Sequence, residues 1–273
     1  MQAGIFAKTF PGSDPLAVLK QVRDAGFSAA QFNLACAGLD PVPAAVPGSV
    51  SCSLRSAAEA SSVSLPALSG TCNLAHPDVD LRHDGVTRLR GVISCAAAAG
   101  IPMVTLCTGS RNAADQWAPH PDNSSPEAWA DMRACMAQLA EMAEGAGVVL
   151  GIEPEQANVV REVSDALRLA RELQTDRLRI ILDPANLFET GTPAEVRETV
   201  ARAVAEAAPM LGLAHAKDRS PEGAVVPPGE GAVDFPDFVL RLAAAGYEGA
   251  LVTHGITLDE VPRTARRMEA WLA

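Results

Sequence analysis

The sequence predicts a single-domain α/β protein, a (β/α)8 TIM barrel running through residues 1–273. Three observations carry that prediction. Short apolar runs recur at a period of about 30 residues, each followed by a polar turn and an amphipathic helical pattern. No linker or shift in composition divides the chain. Its length suits eight such units, since barrels of this kind typically need about 250 residues.

Strands are expected at 2–7, 28–34, 64–71, 101–107, 148–153, 178–183, 210–215 and 249–254. Several are nearly continuous apolar runs, as strands covered on both faces should be. Helices fill the intervals. Val196, Val200, Val204 and Ala207 fall on one helical stripe, as do Trp129, Met132, Met136, Leu139 and Ala143, and then Val261, Ala265, Met268 and Leu272. Ser13-Asp14-Pro15, Ser125-Pro126-Glu127 and Thr192-Pro193 supply a capping side chain beside a first-turn proline. Gly26, Gly100 and Gly246 follow helix ends. The competing doubly wound sheet would carry a glycine-rich phosphate turn after its first strand, and Ala7-Lys8-Thr9-Phe10-Pro11-Gly12 does not match one.

Composition narrows the function. The net charge of −11 disfavours nucleic acid and anionic membranes as partners. No apolar run approaches the ~18 residues of a spanning helix, and the start of the chain lacks the pattern of a signal peptide, so a cytoplasmic location is expected. The six cysteines contain no CxxC pair and read as reduced, mostly buried thiols, with Cys107 beside a polar loop as the exception. A GxSxG elbow, a GxxxxGKS phosphate loop and an HExxH motif are all missing.

A barrel of this type builds its site where the strands end. Strand five ends in Glu153, strand six in Asp183, strand seven in His215 and strand eight in His254. One such Asp alone reads as a cap and one such His as a hydrogen-bonded structural residue. Four on successive strands read as ligands of one divalent cation, with Mn, Zn or Co preferred over Mg because two imidazoles are soft for Mg. Loop residues near the same rim join them. His76 and Arg111 are expected to bind substrate, against a local structural role or a surface ion pair. Glu155, Asn158 and Lys217 are expected to line the pocket, with pairing to Asp218 the alternative for Lys217. Trp117 to Asn123 reads either as a lid or as a satellite cluster.

The stretches Gly151-Ile152-Glu153-Pro154, Leu182-Asp183-Pro184-Ala185-Asn186 and His215-Ala216-Lys217-Asp218 stand in a distinctive order. Pro228-Gly229-Glu230-Gly231-Ala232-Val233-Asp234-Phe235 and Gly246-Tyr247-Glu248-Gly249 extend it. Together they resemble the sugar phosphate isomerase/epimerase family, the xylose-isomerase-like barrels, over essentially the whole chain. The resemblance implies a metal held by Glu153, Asp183 and His215, with His254 where the family has a second Glu. Asn186 replaces a His common in the family and remains suited to a substrate hydroxyl. The implied activity is isomerisation or epimerisation of a small polyhydroxy carbonyl compound through an enediolate, with Glu153 as proton acceptor and His254 and Lys217 assisting. A dehydratase or lyase of an inosose-like ketone and a non-catalytic sugar-binding barrel are the alternatives. The family's two-glutamate proton exchange lacks its second member here. Self-association into a homo-oligomer is left open by the sequence.

Overall fold

The computed structural model of the chain describes residues 1–273. Eight parallel strands close into a barrel in the order β1-β10-β7-β6-β5-β4-β3-β2. They are β1 (Gln2–Phe6), β2 (Ala29–Phe32), β3 (Ser64–Ser69), β4 (Met103–Leu106), β5 (Val149–Ile152), β6 (Leu178–Leu182), β7 (Leu211–Ala216) and β10 (Ala250–Thr253). The helices are α1 (Pro15–Asp24), α2 (Gly48–Ser61), α3 (Val79–Ala99), α4 (Pro126–Ala146), α5 (Val163–Leu173), α6 (Pro193–Ala207), α7 (Phe235–Ala244) and α8 (Val261–Leu272). A two-stranded antiparallel ribbon, β8 (Asp218–Arg219) with β9 (Val225–Val226), interrupts the rhythm after β7. The sequence reading has no counterpart for it.

The expected caps form. Asp14 accepts from the Ala17 N–H, Ser125 from Ala128, and Thr192 and Glu195 satisfy each other's backbone N–H groups. Each such cap stabilises its helix by about 1 kcal/mol. Val196, Val200, Val204 and Ala207 are buried, as are Met132, Met136, Leu139 and Ala143.

Strand alternation places the site. Outward side chains such as Ile5, Leu68, Val104, Ile152, Ile180 and Leu251 join a core of 63 buried residues between barrel and helices. A separate cluster, Ala29, Ala67, Met103, Ile181, Leu213, Ala250 and Val252, fills the barrel interior. Gly151 belongs to that interior as well, because a Cβ there would stand 2.7 Å from Met103 Sδ and 2.9 Å from Ile181. Two residues further along each strand the side chain again points inward. Those last inward positions are Phe6, Gln31, Ser69, Thr105, Glu153, Asp183, His215 and His254. An apolar floor thus gives way within one residue pair to a polar top. No helix is long and apolar enough to cross a membrane.

Candidate metal centre and active site

The four strand-end residues meet. One ligand atom from each of Glu153, Asp183, His215 and His254 lies within 4.8 Å of the others. Glu153 follows β5 directly and continues its ladder through its N–H to Leu106 O, at 3.0 Å. Asp183 follows β6 and does two jobs. Its Oδ1 accepts from the Ala185 N–H at 2.9 Å, capping a short turn, while Oδ2 lies 3.0 Å from His254 Nε2. One oxygen of this aspartate is thus a cap, and the other faces the cluster.

His215 is oriented by a residue the sequence reading passed over. Gln31, on β2, presents Oε1 2.9 Å from His215 Nε2, and its own amide donates to Thr105 Oγ1 at 3.3 Å. With the Nε2–H donating to Gln31, Nδ1 faces the centre, 3.4 Å from Glu153 Oε1 and 3.8 Å from Asp183 Oδ2. Such outer partners fix tautomer and ring orientation in metal sites. Replacing Gln31 with Leu should raise the dissociation constant for Mn²⁺ by about 10- to 100-fold while the fold persists, as measured by titration calorimetry and thermal melting. Unchanged affinity would show that the contact is packing alone.

The donor set fits a cation on electrostatic grounds as well. Burial depresses the His215 pKa, yet the Glu153 charge and the bonds to Asp183 and Glu153 outweigh it and lift the value to about 9. Burial likewise acts to raise the Asp183 carboxyl, but the bonds from His215 and His254 hold it well below the ordinary range. The pocket thus draws positive charge onto a buried ring. A metal ion needs that imidazole neutral, so loading near pH 7.5 should release about one proton, and affinity should rise with pH up to the His215 value. Calorimetry in buffers of different ionisation enthalpy checks this. No proton release would contradict the assignment of His215 as a ligand.

Asn186 ties the centre to its surroundings. Its amide donates to Glu153 Oε1 at 2.8 Å, and its carbonyl accepts from Lys217 Nζ at 2.9 Å. Lys217 therefore pairs with Asn186 and not with Asp218. Asp218 instead holds the loop after β7. Its two carboxylate oxygens accept from the backbone N–H groups of Arg219, Gly229, Gly231 and Val233 at 2.8–3.1 Å. Burial pushes this carboxyl up, and the four N–H groups act against that. Asp218→Asn turns an NH₂ toward two of those donors and should cost about 2 kcal/mol of stability. Urea melts check it, and an unchanged midpoint would deny the loop this anchor.

A cavity of about 360 Å³ opens above the centre, lined by Glu153, His215 and His254 together with Phe6, Lys8, Gln31, Asn33, Thr105, Cys107, Gln116 and Trp117. An adjoining cavity of about 400 Å³ takes in Glu155, Asn186, Arg219 and the far side of Trp117. Burial and the Glu153 charge push the Glu155 carboxyl up to about 7. Cys107 is buried with Sγ 4.0 Å from Glu153 Oε2, and burial pushes its thiol far above the usual range. All six cysteines are free, four of them buried.

Three expected substrate residues sit elsewhere. His76 spends Nε2 near Ala113 O and Nδ1 on the Asp78 N–H. Arg111 pairs with Asp131 at 2.7 Å and reaches the Ala75 carbonyl. Asn158 is fully buried, with its carbonyl on the Gly109 N–H. None of the three lines either cavity. Their polar groups are consumed in fastening the loops after β3, β4 and β5 to one another. Trp117, half-exposed, lines the site as a lid residue would, whereas Asn123 is buried against Ser110.

The family model for the xylose isomerase-like TIM barrel matches residues 19–272. The chain belongs to this family. No curated protein sequence matches it. Among solved structures, 3-keto-D-glucoside 4-epimerase YcjR from E. coli shares 17% identity at a TM-score of 0.78, covering 100% of this chain and 98% of its own. D-psicose 3-epimerase shares 16% at 0.76, with 99% and 98% covered. L-ribulose 3-epimerase shares 20% at 0.70, with 98% and 86% covered. At these identities the likeness establishes a shared fold. In this member of the xylose isomerase-like family, the strand-end cluster is the feature on which function is argued.

Proposed function

We propose that this protein is a metal-dependent isomerase or epimerase of a small polyhydroxy carbonyl compound. The observation that carries the reading is the convergence of Glu153, Asp183, His215 and His254 at the C-terminal end of the barrel, under a polar cavity. The solved structures of like fold that are named as sugar epimerases support it.

A divalent ion, Mn, Zn or Co by the softness of the donors, would polarise a substrate carbonyl and its neighbouring hydroxyl there. Glu153 accepts the α-proton. Asn186 donates to Oε1, so Oε2, which meets only the weak Sγ–H donor of Cys107 at 4.0 Å, is the oxygen that takes it. Lys217 braces Asn186 and thereby fixes the Glu153 rotamer. Gln31 keeps His215 in the tautomer that leaves Nδ1 available. His254, bonded to Asp183 Oδ2, serves as ligand rather than as an acid on the opposite face.

With one glutamate at the centre, proton return from the same face suits isomerisation. It equally suits loss of a β-hydroxyl, so dehydration of an inosose-like ketone is the second reading. Incubating Mn²⁺-loaded protein with ketoses and inosose-type ketones in D₂O tests both. Deuterium at the α-carbon of substrate or product is the expected result, and a product lighter by one water selects dehydration. Binding without exchange in every compound would leave a non-catalytic sugar-binding barrel.

A further inference from the structure

The strands that carry the cluster, β5, β6, β7 and β10, are neighbours and take up one half of the rim. A substrate chelated there through its carbonyl and adjoining hydroxyl lays the rest of its length over the other half, formed by the ends of β1 to β4. In that half Gln31 is committed to His215 and Thr105, and Asn33 Oδ1 accepts from the Ala35 N–H. Gln116 is not committed. It stands in the loop after β4 and lines the cavity that holds Glu153, His215 and His254. Its Oε1 is buried and has no hydrogen-bond partner. Arg177 Nε and Thr253 Oγ1 share that condition, but neither residue lines this cavity. Native proteins leave few buried polar atoms unpaired, because each gives up its hydration without a replacement.

A slack loop does not account for the orphan. The Gln116 carbonyl accepts from Asn158 Nδ2 at 3.4 Å, and Asn158 is itself fully buried and bonded to the Gly109 N–H. On the two sides, the Asp115 carboxylate takes the Trp117 N–H at 2.9 Å, and the Ala118 carbonyl takes the Ser110 hydroxyl at 2.7 Å. The backbone is fastened while the side-chain amide is not. The torsion that turns a terminal amide is soft, so Oε1 can swing to a donor that enters the cavity. A primary amide offers an acceptor beside two donors, which suits a hydroxyl able both to give and to take a hydrogen bond.

We propose that Gln116 is a specificity-determining residue, whose side-chain amide hydrogen-bonds a substrate hydroxyl beyond the chelated pair. This rests on the isomerase or epimerase reading, which fixes the chelated end.

Gln116→Met keeps the length of the side chain and removes both polar ends. The metal-free variant should melt no lower than the parent, since it loses no side-chain bond within the protein and sheds an unpaired oxygen. Its affinity for Mn²⁺ should be unchanged. With whichever of D-fructose, D-tagatose and D-psicose exchanges deuterium fastest, KM should rise about tenfold while kcat stays within about threefold. Analogues of that ketose lacking the 4-, 5- or 6-hydroxyl locate the contact. One of them should lose about tenfold in binding to the parent and nothing further in binding to Gln116→Met, a coupling that general damage to the pocket does not give. A lowered melting temperature with KM unchanged would make Gln116 structural and overturn the proposal, as would losses that simply add. Where no ketose exchanges deuterium, titration calorimetry with the same three sugars separates the readings. Binding that weakens in Gln116→Met keeps the role of this residue and removes the isomerase reading, whereas binding that is absent or does not weaken overturns both.

Discussion

Glu153→Gln is expected to lower turnover by about 10³-fold at saturating metal. The substitution preserves shape, and the new carboxamide oxygen can still accept from Asn186 Nδ2, so the loop after β5 keeps its form. What disappears is the basic oxygen at Oε2 and one negative charge at the centre. Metal affinity should therefore fall too, which is why the comparison belongs at saturating Mn²⁺. Stopped D₂O exchange with retained metal content separates a lost proton acceptor from a lost ligand. Exchange within tenfold of the parent would remove Glu153 from the chemistry and with it the reading of the site.

Asp183→Asn has the second large consequence, on metal binding. Asp183 is only 1% exposed, and its Oδ1 is committed to the Ala185 N–H. An asparagine that keeps this bond must turn its NH₂ into the place of Oδ2. The ligand centre then meets a donor instead of an anion, 3.0 Å from where His254 Nε2 lies. Affinity for Mn²⁺ should drop by about 10²-fold or more, at or above the upper end of the cost of altering an outer partner. Elemental analysis and calorimetry read the loss, and a thermal melt near that of the metal-free parent shows that the fold survives. Full metal content in this variant would move the cation site elsewhere.

The barrel was legible because each unit repeats the same physical pattern. Caps at Asp14, Ser125 and Thr192 and the buried stripes of α4 and α6 are local signals, and local signals survive in a sequence. Glu153, Asp183 and His254 were legible for a related reason: each breaks an apolar run where the chain leaves the sheet. Gln31 gave less warning. It lies inside the short strand Ala29–Phe32, and only the partner 184 residues away explains its polarity. His76 and Arg111 misled because a polar loop residue looks the same whether it faces a ligand or fastens two loops. The ribbon of β8 and β9 was invisible, since two-residue strands carry no periodicity.

The anchoring of the loop after β7 extends to its neighbour. Four amides between Arg219 and Val233 converge on one aspartate, so both ends of the intervening excursion are pinned to a single point. The excursion is tied to the loop after β6 as well: Pro221 O accepts from the Gly191 N–H, and Arg219 reaches both Gly223 O and Ala185 O. Arg219, which lines the outer cavity, is thereby braced from two loops at once, so a change in either one reaches the wall that faces Glu155.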